Sequence, residues 1–206
     1  MNDYHEALWE GLPEGLRPPH LARRVAFLLS HVSSGARVLD VGCGEGHFAE
    51  ALAERGARVT GIDVAEEPLR RARARRPALE LRRVPPAGPW PLADVSFDVV
   101  WAGEVIEHVA DTVGWLSEVR RVLRSGGALV LSTPAHGRLT RLVLGVSARS
   151  FEAHFDPRAD HLRFYTRRAL VRLLEDFGFE AIETRALGGT PGARRVLLAS
   201  ARRARF

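Results

Sequence analysis

The chain has 206 residues, enough for one domain with a full core, and its hydrophobic content of 46% is ordinary for a globular protein. No apolar run reaches transmembrane length, no signal peptide is visible, and the single cysteine, Cys43, excludes an intrachain disulfide, so we expect a cytoplasmic protein. The net charge is +5 without any lysine, which excludes pyridoxal-phosphate enzymes, short-chain dehydrogenases with a Tyr-Lys pair and Walker-type phosphate loops.

The basic residues are all arginines, and they are scattered along the chain. They are not interleaved with aromatic side chains, as they would be on a base-stacking surface. We therefore interpret them as solvated faces and do not expect a nucleic-acid partner. The sequence carries no signal for the oligomeric state.

The first 35 residues are predicted to form an N-terminal segment outside the core. Residues 1–19 contain three prolines and predict a helical turn or two followed by an irregular stretch. Residues 21–32 predict an amphipathic helix, because apolar side chains recur at helical spacing at Leu21, Val25, Leu28, Leu29 and Val32.

Strands and helices alternate from residue 36 onward. The predicted order is strand Arg37–Val41, helix His47–Arg55, strand Arg58–Ile62, helix Glu66–Arg75 and strand Leu79–Val84. A fourth strand over 95–102, a helix capped by Asp111 and running through Arg124, and a fifth strand over Ala128–Thr133 follow. This alternation predicts a parallel sheet with helices on both faces, with residues 36–133 as the core.

Residues 134–165 are predicted to be an insertion on the substrate side, with a helix around Leu139, Leu142, Val143 and Leu144. A helix capped by Thr166 runs to Asp176, and the closing antiparallel strands are Phe179–Leu187 and Arg195–Ser200, within a final segment over 166–206. No linker or repeat divides the chain. We predict one α/β domain with a Rossmann-like, doubly wound seven-stranded sheet, mostly parallel with an antiparallel last strand.

A glycine turn follows the first predicted strand. Glycines at alternate positions after Asp40 let the backbone take positive φ and approach a ligand closely: Gly42, Gly44 and Gly46. The open amides of the next helix favour an electron-rich group. The second strand ends in Asp63, where such folds hydrogen-bond a ribose diol. The dinucleotide fingerprint would need a glycine at position 47, and His47 stands there.

The pattern Asp40-x-Gly42-x-Gly44-x-Gly46 followed by Asp63 resembles the first two motifs of class I S-adenosylmethionine-dependent methyltransferases. The Ser-Phe-Asp-x-Val core of the fourth strand and the Ser-Gly-Gly turn before the fifth match the same family. The resemblance implies S-adenosylmethionine as the cofactor, with Asp63 on the ribose hydroxyls. It also implies that the N-terminal segment is either a lid over the site or a stem that packs on the domain.

The resemblance implies a set of cofactor-binding positions: Asp40, Gly42, Cys43, Gly44, Asp63, Val64, Ala87 and Gly103. We interpret Cys43 as a small packing residue beside the cofactor and not as a nucleophile. Many relatives have an Asp-Ala pair after the third strand, where this chain has Pro86 and Ala87. Backbone groups and packing would therefore hold the adenine here.

The residues after the fourth strand carry candidate chemistry. Glu104, Glu107 and His108 have i, i+3, i+4 spacing, so a helical turn would project all three to one side. They could bind a divalent cation such as Mg²⁺, supply a general base in Glu107 and His108, or be structural. Glu-x-x-Glu-His resembles the metal motif of small-RNA 2′-O-methyltransferases and ubiquinone-pathway O-methyltransferases, which implies His161 as a further ligand. His136 and His154 are weaker pocket candidates.

These residues predict a methyltransferase that acts on a small-molecule hydroxyl, such as a phenol, quinone precursor, lipid or sugar, with or without a metal. An acidic, histidine-rich pocket suits a hydroxyl better than an amine or a carbon acceptor. The alternatives are an RNA 2′-O-methyltransferase and a non-catalytic partner protein that keeps the cofactor site; a nicotinamide oxidoreductase fits least. The N-terminal segment and residues 138–160 are expected to select the acceptor, which the sequence does not identify.

Overall fold

The computed structural model describes residues 2–86, 88–156, 160–190 and 195–205. Within these ranges the helices are α1 (Asn2–Gly11), α2 (Leu21–Leu29), α3 (His47–Glu54), α4 (Glu66–Arg75), α5 (Thr112–Val122), α6 (Arg138–Val146), α7 (Ala148–His154) and α8 (Arg167–Asp176). The strands are β1 (Arg37–Val41), β2 (Arg58–Asp63), β3 (Glu80–Arg83), β4 (Phe97–Gly103), β5 (Leu123–Pro134), β6 (Phe179–Leu187) and β7 (Val196–Arg203). A 3₁₀ turn covers Ile106–His108.

The strands form one sheet in the order β3-β2-β1-β4-β5-β7-β6. Neighbours from β3 to β5 are parallel, and β7 lies antiparallel between β5 and β6. The order reverses direction at β1, which pairs with both β2 and β4. This reversal is the topological switch point, where open α/β sheets bind ligands beyond the carboxyl ends of their strands. The predicted fold class is confirmed.

Alternate residues of the central strands enter two separate cores, because successive side chains point to opposite faces of a sheet. Leu39, Val100 and Leu131 belong to one core, with α5 and α8 packed over it. Val38 and Trp101 belong to the other, under α2 and α3. The apolar stretches Val38-Leu39 of β1 and Val99–Ala102 of β4 reflect this burial on both faces.

Several boundaries differ from those predicted. β5 begins at Leu123 and not at Ala128, because Leu123 pairs with Phe97 across a β-bulge and its carbonyl accepts a hydrogen bond from Arg203. The insertion contains two helices and not one, because the Ser147 side chain accepts from the Ser150 amide and starts α7. Among the described helices, none is both long enough and apolar enough to cross a membrane.

Candidate active site

The glycine turn lies at the carboxyl end of β1. Gly42, Gly44 and Gly46 adopt φ of 66°, 52° and 82°, as the sequence predicted from their need for left-handed backbone. The Gly42 amide donates to the Ile62 carbonyl at 2.8 Å, which fastens the turn to β2. A Cβ on Gly42 would lie 2.5 Å from Cγ2 of Val105, so only glycine lets this backbone pass so close to the loop after β4.

Two buried carboxylates flank the turn. Asp63 accepts hydrogen bonds from the Gly44 amide at 2.9 Å and from the Ala65 amide at 3.0 Å. Burial and the nearby Asp63 carboxylate raise the pKa of Asp40 to about 8. Burial, Asp63 and Asp40 also raise the pKa of the Cys43 thiol well above its usual value, so Cys43 stays a neutral packing group. The structure therefore brings Asp40, Gly42, Cys43, Gly44 and Asp63 together.

Helix α1 covers the glycine turn. The Glu6 carboxylate accepts from the Glu66 and Glu67 amides, both at 2.7 Å, and so caps the N-terminus of α4. The Trp9 ring lies against Gly44, where an added Cβ would be 3.0 Å from it. Helix α1 therefore packs on the glycine turn, a position that both a lid and a packed stem would occupy.

A buried ion pair anchors the end of this segment. The Arg71 guanidinium donates to the carbonyls of Trp9 and Leu12, each at 2.9 Å, and lies 3.5 Å from the Glu45 carboxylate. Glu45 also accepts from the Gly15 amide at 2.8 Å. Sequence reasoning missed these contacts, because they join residues far apart in the chain.

A second buried cation, Arg24 of α2, lies at the end of β4. It donates to Ser132 Oγ at 2.8 Å, and this hydroxyl donates to Glu104 Oε1 at 2.7 Å. The guanidinium packs over the rings of Phe48 and Trp101. Sequence reasoning missed Arg24 as well. The sequence does contain an indication that Arg24 is buried, because Arg24 lies three residues after Leu21, on the apolar face of the predicted helix.

The expectation that Glu104 shares one face with Glu107 and His108 is wrong. It required a helical turn, but only Ile106–His108 form a 3₁₀ turn, and Glu104 lies before it in left-handed backbone with φ 58°. The Glu104 carboxylate consequently faces Ser132 and Arg24.

Glu107, His108 and His161 form a group at the 3₁₀ turn. Each offers one ligand atom, and these atoms lie within 4.8 Å of one another. The segment that carries His161 is held there because the Leu162 and Arg163 amides donate to the Glu107 carbonyl at 2.8 and 3.0 Å. The turn is adjacent to the glycine turn through Val105.

The charge state of this group follows from burial. Glu107 is fully buried, and neither carboxylate oxygen has a hydrogen-bond partner of good geometry. Burial, reinforced by the Glu104 charge, raises the pKa of Glu107 to about 8, and the buried Thr133 hydroxyl offsets this only in part.

Burial lowers the pKa of His108, so its imidazole is neutral at pH 7. His108 Nδ1 lies 3.0 Å from the Asp160 carbonyl, an acceptor, so the proton resides on Nδ1 and Nε2 has a free lone pair.

The remaining predicted site residues lie apart from this group. Val64 and Gly103 are half-buried at the carboxyl ends of β2 and β4, and Ala87 lies outside the described residues. His136 and His154 pair with each other at 3.0 Å between their Nε2 atoms, and both rings contact Phe164.

Comparison with known proteins identifies the family. A methyltransferase-domain family model matches residues 14–184. A ubiquinone biosynthesis O-methyltransferase of Idiomarina loihiensis is 35% identical over 188 residues, which cover 85% of this chain and 76% of that protein. Its counterpart in Dinoroseobacter shibae is 33% identical over 162 residues, 76% of this chain and 65% of that protein. The matched regions span 56% to 76% of the first curated relatives.

Solved structures agree on the fold. Phosphoethanolamine N-methyltransferase 2 of Haemonchus contortus, in complex with S-adenosyl-L-methionine, aligns with a TM-score of 0.75 at 17% identity over all of this chain and 58% of that one. An S-adenosylmethionine-dependent methyltransferase of Mesorhizobium loti aligns with a TM-score of 0.69 at 25% identity, covering 88% of this chain and 96% of that one. The chain belongs to the class I S-adenosylmethionine-dependent methyltransferases.

Proposed function

We propose that this enzyme methylates a hydroxyl group of a small molecule. The observation that carries the proposal is a neutral histidine, His108, with a free Nε2 beside the buried Glu107, next to the glycine turn of the cofactor site. A base with a pKa near or below neutrality suits a hydroxyl that loses its proton as it attacks. The O-methyltransferase names of the relatives support the same acceptor chemistry.

The cofactor would be held by groups of complementary charge. Asp63 would bind the ribose hydroxyls and the glycine turn would pack against the methionine and ribose portions. The methionine portion carries one ammonium and one carboxylate, and the edge of the sheet offers one anion and one cation to match them, Glu104 and Arg24. Val64 and Gly103 would line the site through backbone and packing.

For this reaction the protein must position the acceptor hydroxyl and accept its proton. When bound, S-adenosylmethionine would supply an electrophilic methyl group, and an acceptor oxygen held in line would take this methyl group as the carbon–sulfur electron pair returns to sulfur. The hydroxyl proton passes to Nε2 of His108. Asp160 holds the ring in the required tautomer through its carbonyl, and its carboxylate, 3.3 Å from Nδ1, stabilises the imidazolium that forms.

As an alternative to the base role of His108, the group Glu107, His108 and His161 could hold a divalent cation. One carboxylate and two imidazoles favour Mn²⁺ or another transition-metal cation over Mg²⁺, and a bound charge would satisfy the two unpartnered oxygens of Glu107. When bound, a cation would lower the pKa of the acceptor hydroxyl and orient it.

Calorimetric titration of S-adenosylhomocysteine into metal-stripped protein, repeated with Mg²⁺ or Mn²⁺, tests the cofactor site and the cation together. Methyl transfer to a panel of phenols, amines and short RNAs then tests the acceptor. Transfer to phenols that is lost in His108→Asn, with product affinity retained, is the expected result. Methylation of amines alone, or full activity in both Glu107→Ala and His108→Ala, would refute the proposal. A preference for RNA would favour the 2′-O-methyltransferase alternative.

A further inference from the structure

We propose that the hairpin of α6 and α7 binds the surface of an anionic lipid membrane. This hairpin, over residues 138–154, turns its apolar side chains towards solvent. Val146 is 77% exposed, Leu142 61% and Phe151 51%, and neither helix has a buried residue. Scattered exposed apolar residues are ordinary, but a continuous set on one element marks an interaction surface.

The exposed residues of α6 share one stripe of the helix. Leu139, Leu142, Val143 and Val146 stand at i, i+3, i+4 and i+7, which is the spacing of a single face. The half-buried positions of the hairpin are mostly polar or small: Thr140, Leu144, Ser147, Ser150 and His154. The amphipathic pattern is therefore inverted relative to a helix that packs its apolar face on its own domain.

The charges around this face select its partner. Arg138, Arg141 and Arg149 are all exposed on the hairpin, and Glu152 is its only acidic residue. A symmetric pair of these faces would bring the arginines of two copies together, which disfavours a second copy of the chain. Anionic lipid headgroups would instead neutralise them while the apolar stripe enters the boundary of the acyl chains.

A chain of aromatic contacts runs from the apolar face to the segment that carries His161. Phe151 contacts Phe155 with ring centroids 4.6 Å apart, and Phe155 contacts Phe164 at 4.7 Å. Phe164 in turn contacts His136, and it belongs to the segment that carries His161. A membrane bound at the hairpin would therefore meet the acceptor side of the enzyme and leave the sheet and its helices in water. At nine residues, α6 could only lie in the interface.

Co-flotation of the full chain with vesicles tests the proposal. Vesicles of phosphatidylcholine with added phosphatidylglycerol are expected to carry the protein, and vesicles of phosphatidylcholine alone at least about tenfold less. The double variant Leu142→Glu/Val146→Glu is expected to lose at least about tenfold in partitioning, since it puts two charges in the stripe. The matched control is Val113→Glu, at a side chain of α5 that is 63% exposed, and it should float like the unmodified chain.

The charge argument has its own test. Arg138→Glu/Arg141→Glu should remove the preference for phosphatidylglycerol, whereas Arg55→Glu, an exposed arginine after α3, should keep it. S-adenosylhomocysteine affinity, measured in parallel, should be the same in all variants and shows that each is folded.

Three results would overturn the proposal: no flotation, equal flotation of the stripe variant and its control, or a concentration-dependent dimer by light scattering that the stripe variant abolishes. The last would make a second copy the occupant. Failure of methyl transfer to hydroxyls would refute the proposed function and leave vesicle binding untouched, so the two proposals fail separately.

Discussion

Glu107 should make the protein less stable as the pH rises, and Glu107→Gln should remove this dependence. In the folded chain the pKa of Glu107 is about 8, against an ordinary value of 4.5. Between these values the unfolded chain has released the proton and the folded chain retains it. The contribution of Glu107 to stability is therefore greatest below pH 4.5, falls as the pH rises through this window, and is lost above the folded pKa.

The magnitude follows from the size of the window. Each pKa unit corresponds to about 1.4 kcal/mol, so the free energy of unfolding should fall by about 3–5 kcal/mol between pH 4.5 and 9 because of this carboxyl. Glutamine cannot ionise. The cost of burying its unpaired amide does not depend on pH, so this cost cancels when the stability of the variant at one pH is compared with its stability at another.

Urea unfolding at pH 5 and pH 9 in buffer with chelator measures the effect. The free energy of unfolding of Glu107→Gln, minus that of the unmodified chain, should be higher at pH 9 than at pH 5 by about 3–5 kcal/mol. Glu10→Gln, at an exposed carboxylate of α1, is the control and should follow the unmodified chain at both pH values. Parallel pH dependences for Glu107→Gln and the unmodified chain would refute the argument that this carboxyl is buried without a partner.

Three further predictions concern the site. His108→Asn should lower kcat roughly 10²–10⁴-fold without changing S-adenosylhomocysteine affinity, because it removes only the proton acceptor; steady-state kinetics and calorimetry measure the two. Glu6→Ala should destabilise the chain by about 1 kcal/mol and speed product dissociation in stopped-flow experiments, because it uncaps α4 and frees α1, whereas Glu10→Ala should do neither. Gly42→Ala should abolish product binding and cost about 1–3 kcal/mol in urea unfolding, because its Cβ would meet Val105 in left-handed backbone.

Each of these has a contrary result. Unchanged kcat in His108→Asn would make the histidine structural. Unchanged product dissociation in Glu6→Ala would make α1 a stem that merely packs on the domain. Normal product affinity in Gly42→Ala would place the cofactor away from the turn.

The parallel part of the sheet and the glycine turn can be predicted from the amino-acid sequence. Both are encoded locally. The apolar runs of β1 and β4 report burial on both faces, and glycines at 42, 44 and 46 report the left-handed φ that they adopt. Strand ends are not encoded locally, because pairing across the sheet decides them, as Leu123 shows by joining β5 through Phe97.

The packing of separate elements sets which charged residues meet. Arg24 reaches Ser132 across 108 positions of the chain, and together they draw Glu104 away from the group of Glu107 and His108. The spacing of Glu104, Glu107 and His108 could not reveal this, because it describes a helical turn that the backbone at Glu104 does not adopt. Local periodicity fixes which face a residue occupies within an element, whereas the partner of a buried charge depends on how separate elements pack.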